Sequence, residues 1–123
     1  MKIIPVFKVR DMQVAIAHYT EVLDFNLTDP NDSADSQVVD LGKDEAELQL
    51  TILESDHLFG SVVNVLVDDV DSLFASYKSR GLDTADKKDS PVHEGPIDQS
   101  WGRREFYVTD QDGNTLRFCQ PII

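Results

Sequence analysis

A chain of 123 residues with a net charge of −12 and 41% hydrophobic residues has the length of one domain and enough apolar content for a packed core. That charge makes nucleic acid and anionic membranes poor partners and would draw in a cationic ligand. The lone Cys119 excludes an internal disulfide and suits a reducing compartment.

No apolar run approaches the ~20 residues of a membrane span. The opening Met1-Lys2-Ile3-Ile4-Pro5 lacks the pattern of a secretory leader, so a cytoplasmic protein is expected. Ile3 to Val9 reads as a strand. Pro5 has no amide hydrogen to give to a ladder, which places that strand at an edge, or against a second subunit. Asp11 is a helix cap. Met12, Ala15, Ile16, Tyr19, Val22 and Leu23 follow at three- and four-residue spacing, the stripe of an amphipathic helix on a sheet. His18 falls off that stripe and is expected in solvent.

A polar loop, Asp29 to Ser36, leads to two strands, Gln37 to Leu41 and Glu47 to Leu53, around the turn Gly42-Lys43-Asp44-Glu45. His57 stands beside Asp56 in the following loop. Val62 to Val67 is a further strand. Behind Asp69 comes a second helix with Val70, Leu73, Phe74 and Tyr77 on its stripe and Gly81 as its stop. The long segment from Asp83 to Ser100, with Lys87, Lys88 and the pair His93-Glu94, reads as a loop, and its histidine as a surface residue. It ends at Trp101.

The last fifth carries the strongest local pattern. Arg104 to Thr109 and Thr115 to Cys119 flank Asp110-Gln111-Asp112-Gly113-Asn114, whose Gly and Asn tolerate positive φ and whose Asp can bind its own backbone, so the segment is a hairpin. Phe106, Val108, Leu116 and Phe118 alternate onto one face, the core. Glu105, Tyr107, Arg117 and Cys119 take the other. For Cys119 a small, half-buried packing residue is the expectation. Glu105 could serve as a base if desolvated, but pairing with Arg104 or Arg117 is preferred.

The two halves resemble each other. An offset of 58 positions lays Asp69 on Asp11, Tyr77 on Tyr19 and Val67 on Val9; an offset of 68 lays Leu116-Arg117-Phe118 on Leu48-Gln49-Leu50. The difference of ten residues is assigned to the loop from 83 to 100. The chain thus reads as one domain over 1–123 built from two modules, about 1–55 and about 60–123.

A duplicated βαβββ module, an aspartate opening each helix, and the run Trp101-Gly102, Arg104-Glu105-Phe106, Asp110, Asp112-Gly113-Asn114, Leu116 and Phe118 resemble the vicinal oxygen chelate superfamily, and within it the bleomycin-resistance branch. The resemblance covers essentially the whole chain. It implies an α+β fold in which two tandem βαβββ modules form a curled mixed sheet cup with helices outside, and a homodimer with the ligand at its interface. It does not imply a single activity, because one fold hosts many.

Enzymes of this superfamily place metal ligands on the first and last strands of each module, which fall here on about Ile4, Gln49, Val62 and Arg117. Only Gln49 could bind a divalent ion, and weakly, while Arg117 would repel one. No metal and no cofactor are therefore expected. The segment Asp110-x-Asp112-Gly113-Asn114 imitates the start of a calcium loop, but its glycine is misplaced and Pro121 stands where a Glu is needed. No phosphate-cradling loop, nucleophile elbow or Cys pair is present.

The expected function is stoichiometric capture of a cationic or aromatic small molecule, with a bleomycin-type antibiotic the ligand the resemblance implies, so catalysis is not expected. Trp101 would stack on the ligand, unless it is a core or interface residue. Glu105, Tyr107, Arg117, Gln49, Thr51 and Asn64 would line the concave face, and Glu105 with the acidic loop would attract positive charge. The loop Thr28 to Ala34 lacks the aromatics with which bleomycin-binding members complete their sandwich, so the ligand can differ from that drug. The alternative is a metal-dependent glyoxalase-like lyase or isomerase, or a ring-cleaving dioxygenase.

Overall fold

The computed structural model describes residues 1–85 and 89–122, so Lys87 and Lys88 lie outside the described residues. The chain divides into two units: Met1–Ser61 with Thr109–Asn114, and Val62–Val108 with Thr115–Ile123. Each contains a four-stranded mixed sheet and a helix, and the strand order is the same in both, the tandem-module fold expected.

In the first unit β1 (Val6–Lys8), β2 (Asn26–Leu27), β3 (Val38–Lys43) and β4 (Ala46–Thr51) are arranged β1-β4-β3-β2. β1 runs parallel to β4 with Val6 opposite Gln49, and β3 and β4 form a hairpin. Its turn closes at Asp44, at φ 53°, between strands longer at the turn end than the alternation suggested. β1 is shorter than the run Ile3 to Val9. Pro5 precedes it and uses its carbonyl to accept from Gln49 N, 2.9 Å, so the sheet edge is met as Pro5 requires.

Alternation sends Phe7, Val9, Val39, Leu41, Leu48 and Leu50 to one side, where they are buried with Met12, Ala15, Tyr19 and Leu23 of the helix. Each such side chain contributes about 1.5–3 kcal/mol. The helix α1 (Met12–Ala17) is capped by Asp11, whose carboxylate accepts from Val14 N at 3.1 Å. It then widens into a π-helical turn, His18–Val22. Thr20 Oγ1 donates to the Ile16 carbonyl at 2.7 Å, competing with the backbone ladder, and Leu23 N reaches back five residues to the His18 carbonyl. The widened turn shifts the helical phase. Tyr19 and Leu23 stay buried, while Ile16 and Val22 are only half-buried.

The turn Asp110–Asn114 belongs to this unit and is its polar hub. Asp110 Oδ1 accepts from Asp112 N and Asn114 N, both 2.9 Å, while Oδ2 accepts from Tyr19 Oη at 2.7 Å and Asn114 Nδ2 at 3.0 Å. Asn114, fully buried, also donates to the Lys8 carbonyl and accepts from Ser61 N. Gly113 sits at φ 86°, a left-handed conformation that calls for glycine. Asp110 faces protein donors on both oxygens. It is a turn residue, as read, and not a cation ligand.

In the second unit β5 (Val62–Leu66), β6 (Ile97–Asp98), β7 (Arg103–Thr109) and β8 (Thr115–Pro121) are ordered β5-β8-β7-β6. β5 is parallel to β8, with Asn64 opposite Arg117. The pairs Val6–Gln49 and Asn64–Arg117 differ by 58 on the first strands and 68 on the last, the two offsets read from the internal repeat. Phe106, Val108, Leu116 and Phe118 face α2 (Val70–Ser79), with Phe106 and Phe118 stacked at 5.0 Å and Tyr77 edge-on to Phe118 at 5.5 Å. Asp69 caps the helix through Ser72 N. Its end is a Schellman motif: Leu82 N bonds the Tyr77 carbonyl, Gly81 N bonds that of Lys78, and Gly81 takes φ 102°. The segment after it is not only loop. It contains the one-turn helix α3 (Pro91–Glu94) and the two-residue β6, both too short to impose a period on the sequence.

Candidate functional site

Strand alternation determines what the second sheet offers on the side away from α2. Asn64, Glu105, Tyr107, Arg117 and Cys119 lie there, as expected, and Arg103 joins them. Among the predicted site residues, these are the ones the structure gathers. Arg117 places its guanidinium 4.9 Å from the Tyr107 ring centre, a cation–π contact. Tyr107 Oη donates to Glu105 Oε1 at 3.2 Å. Glu105 is 2% exposed, a buried carboxylate and not a solvated one. The preference for Arg104 or Arg117 as its partner is corrected. Arg104, one residue along, points to the opposite side and forks onto Asp71 of α2 at 2.9 and 3.0 Å and onto Asp98 at 3.1 Å.

Burial raises the Tyr107 phenol above its ordinary range, Glu105 adds to this, and Arg117 opposes it. Cys119 is fully buried, with its Sγ 3.8 Å from Arg103 Nη1 and 3.6 Å from the Val65 carbonyl. Burial pushes its thiol up, against the pull of Arg103, so it is a packing residue and not a poised nucleophile. His93 is not the free surface residue expected: α3 holds it half-buried, Nδ1 2.8 Å from Ser90 Oγ, its ring edge-on to Tyr107 at 5.9 Å. Arg103 was missed, although carrying the alternation of Glu105 and Tyr107 back two residues reaches it.

Trp101 stands apart. It is 59% exposed in the turn between β6 and β7, where Gln99 N bonds the Arg103 carbonyl, and among the described residues it makes no ring contact. A core position is thereby ruled out for it. Asn64 is exposed on β5 between Val62 and Leu66, which are 53% and 65% exposed.

Gln49 and Thr51 lie in the first unit, on the side of its sheet away from α1. Gln49 Nε2 donates to Asp40 Oδ1 at 3.0 Å. Thr51 is fully buried; its hydroxyl donates to Asp56 Oδ2 at 2.7 Å and accepts from Leu53 N, which leaves it little capacity for a ligand. Beside it opens a cleft of about 370 Å³ lined by Lys8, Thr51, Ser55, Asp56 and His57. Lys8, nine-tenths buried, donates to the Leu53 carbonyl.

A smaller cavity of about 130 Å³, bounded by Arg10, His18, Asp110 and Asp112, adjoins α1. His18 is not in solvent as expected. Its Nε2 is covered by protein without a hydrogen-bond partner, and burial lowers its pKa against the opposing pull of Asp110. Residue 18 stands three positions beyond the buried Ala15, at the border of the stripe, and the turn bearing Asp110 and Asp112 lies beside it.

Gln49 is opposite Val6 in the first unit, and Arg117 is opposite Asn64 in the second; neither pair contains a carboxylate, imidazole or thiolate for a divalent ion. Among the described residues no group of three or more His, Cys, Asp or Glu stands close enough to hold one. Likewise among them, no helix is long and apolar enough to cross a membrane.

The family model of the Glyoxalase/Bleomycin resistance protein/Dioxygenase superfamily matches residues 5–118. No curated protein sequence matches the chain. Among solved structures, a bleomycin-binding protein complexed with bleomycin is similar at 22% identity and a TM-score of 0.74, covering 98% of each chain. A bleomycin resistance determinant encoded on transposon Tn5 is similar at 20% identity and a TM-score of 0.75, covering 100% of this chain and 99% of its own. Lactoylglutathione lyase from Agrobacterium tumefaciens matches at 15% identity and a TM-score of 0.70, covering 97% and 92%. At such identities these structures establish the fold and leave activity open. With the repeated module, the shared register and a match over 5–118, the chain belongs to the glyoxalase/bleomycin resistance protein/dioxygenase superfamily.

Proposed function

We propose that this protein is a non-catalytic small-molecule binder of the bleomycin-resistance kind, holding an aromatic ligand by contact and working as a homodimer in the cytoplasm. The observation that carries the reading is the donor set on the family's metal positions, where Arg117 lies on Tyr107 and no carboxylate or imidazole stands. Trp101, with more than half its surface free, is available to stack on a planar guest. Open edges support association: β1 and β5 each end a sheet, and Ile3, Ile4, Val62 and Leu66 are exposed on or beside them. Sub-micromolar capture needs about 8 kcal/mol, within reach of a shared groove with aromatic stacking.

In the acidic loop Asp29 accepts from Asn31 N and Asp32 from Asp40 N, which holds the loop in place and leaves its negative charge. Isothermal titration with metal-free bleomycin, copper-loaded bleomycin and a panel of planar aromatic compounds tests the reading. Saturable, stoichiometric heat unaffected by chelator supports it, and no heat from any compound at millimolar concentration removes it. Stoichiometric Ni, Zn, Fe or Mn in protein purified without chelator would favour the metal-dependent lyase, isomerase or dioxygenase instead.

A further inference from the structure

We infer that the face of the second sheet away from α2 receives the carboxylate of an aromatic monoanion, with Arg117 as its anion-binding residue and Arg103 adding positive charge on the same face; the inference rests on the small-molecule reading above. Acids outnumber bases in this chain by 23 to 11, so an arginine without a carboxylate is unexpected. Lys2, Arg10, Lys43 and Arg104 each meet one within 3.1 Å. Among the described residues Arg103 and Arg117 meet none. Among the described residues Arg117 donates no hydrogen bond: its Nε is covered and lacks an acceptor, and its guanidinium rests on Tyr107. Arg103 reaches only the weak acceptor Cys119 Sγ. A guanidinium is built to fork onto a carboxylate, and here two share a sheet face with that capacity unused.

The charge balance sets the valence of the guest. Among the described residues Glu105 is the one buried carboxylate on this face, and it takes its hydrogen bond from Tyr107. Two guanidiniums against one carboxylate leave a surplus of one positive charge. A monoanion neutralises it, whereas a dianion such as phosphate would overshoot beside Glu105. The same face sets the guest's body. Val62 and Leu66 are 53% and 65% exposed on the strand paired with β8, and Asn64 between them, opposite Arg117, presents a side-chain amide. An apolar ring over Val62 and Leu66, with its carboxylate at Arg117, satisfies both.

The test uses three probes that share one ring system: 2-naphthoate, 2-naphthamide and 2-naphthylmethylammonium, titrated calorimetrically into the full wild-type chain at low and raised salt. The inference predicts saturable binding of the naphthoate, weakened by salt, with the amide about ten-fold or more weaker and the ammonium weaker still. Arg117→Gln should cost the naphthoate about ten-fold and the amide clearly less, and Arg117→Lys should recover part of the naphthoate's loss. Equal or tighter binding of the amide or the ammonium overturns the inference and leaves the capture reading standing. Saturation by none of the three also overturns it, and the capture reading is then judged separately on the wider aromatic panel. Should Arg117→Gln fail to fold, the charge series on the wild-type protein decides alone.

Discussion

Replacing Asp110 by alanine should unravel the first unit's polar hub. Its carboxylate accepts four hydrogen bonds, from Tyr19 Oη, Asp112 N, Asn114 N and Asn114 Nδ2. The costly loss is at Tyr19, a side chain 1% exposed whose hydroxyl would be left without this acceptor. An orphaned buried donor costs about 1–3 kcal/mol, and the two turn bonds add about 1 kcal/mol each, for a total of about 3–5 kcal/mol. That is a large part of the about 5–15 kcal/mol of a small domain. It corresponds to a fall in Tm of roughly 10–20 °C. Urea unfolding followed by far-UV circular dichroism measures it. Tyr19→Phe, which removes the donor and leaves Asp110 three partners, should cost only about 1 kcal/mol. The double variant should be less damaged than the sum of the singles by about 1–2 kcal/mol, because the orphan is then gone. A loss below about 1 kcal/mol for Asp110→Ala, or strict additivity with Tyr19→Phe, would refute the reasoning.

Three further outcomes follow from single side chains. His18 has a folded pKa below its unfolded value of about 6.5, so the unfolded chain binds more protons in that window and stability falls as pH drops through it; in His18→Gln the slope of stability against pH below about 6.5 should flatten, and an unchanged slope would contradict the burial assigned to its Nε2. Cys119, buried and with its thiol pushed up, should react with a thiol reagent only as fast as the protein opens, and rapid labelling of the native chain would show that face to be open at the sulfur. Gly81→Ala forces a side chain into φ 102° at the end of α2 and should lose about 1 kcal/mol in urea unfolding, whereas no loss would mean that the Schellman turn does not hold in solution.

The fold was legible wherever residues repeat a period long enough to read. The alternation of Phe106, Val108, Leu116 and Phe118 and the paired aspartate caps Asp11 and Asp69 are local signals, and the offsets of 58 and 68 reappear as hydrogen-bond register. β2, β6 and α3 were not legible, because two to four residues carry no period and form only against neighbours already in place. Part of the candidate site was read by the same parity: Glu105, Tyr107 and Arg117 do share a face. What parity could not supply is depth and partner. It placed Glu105 on the polar side without showing that it is buried, and it left Thr51 free when Asp56, five residues on, engages its hydroxyl. His18 was misplaced because it stands at the border of the helix stripe and is covered partly by the sequence-distant turn of Asp110 and Asp112, which no local period announces.

The central claim is that the guest is held by contact on a sheet face with no metal in the bond. Calorimetric titration of one ligand of the aromatic panel into a single preparation, first as purified, then after chelator, then with Zn or Ni restored, tests it most directly. The account predicts the same affinity and stoichiometry in all three states. Binding lost with the chelator and regained with the metal would contradict it.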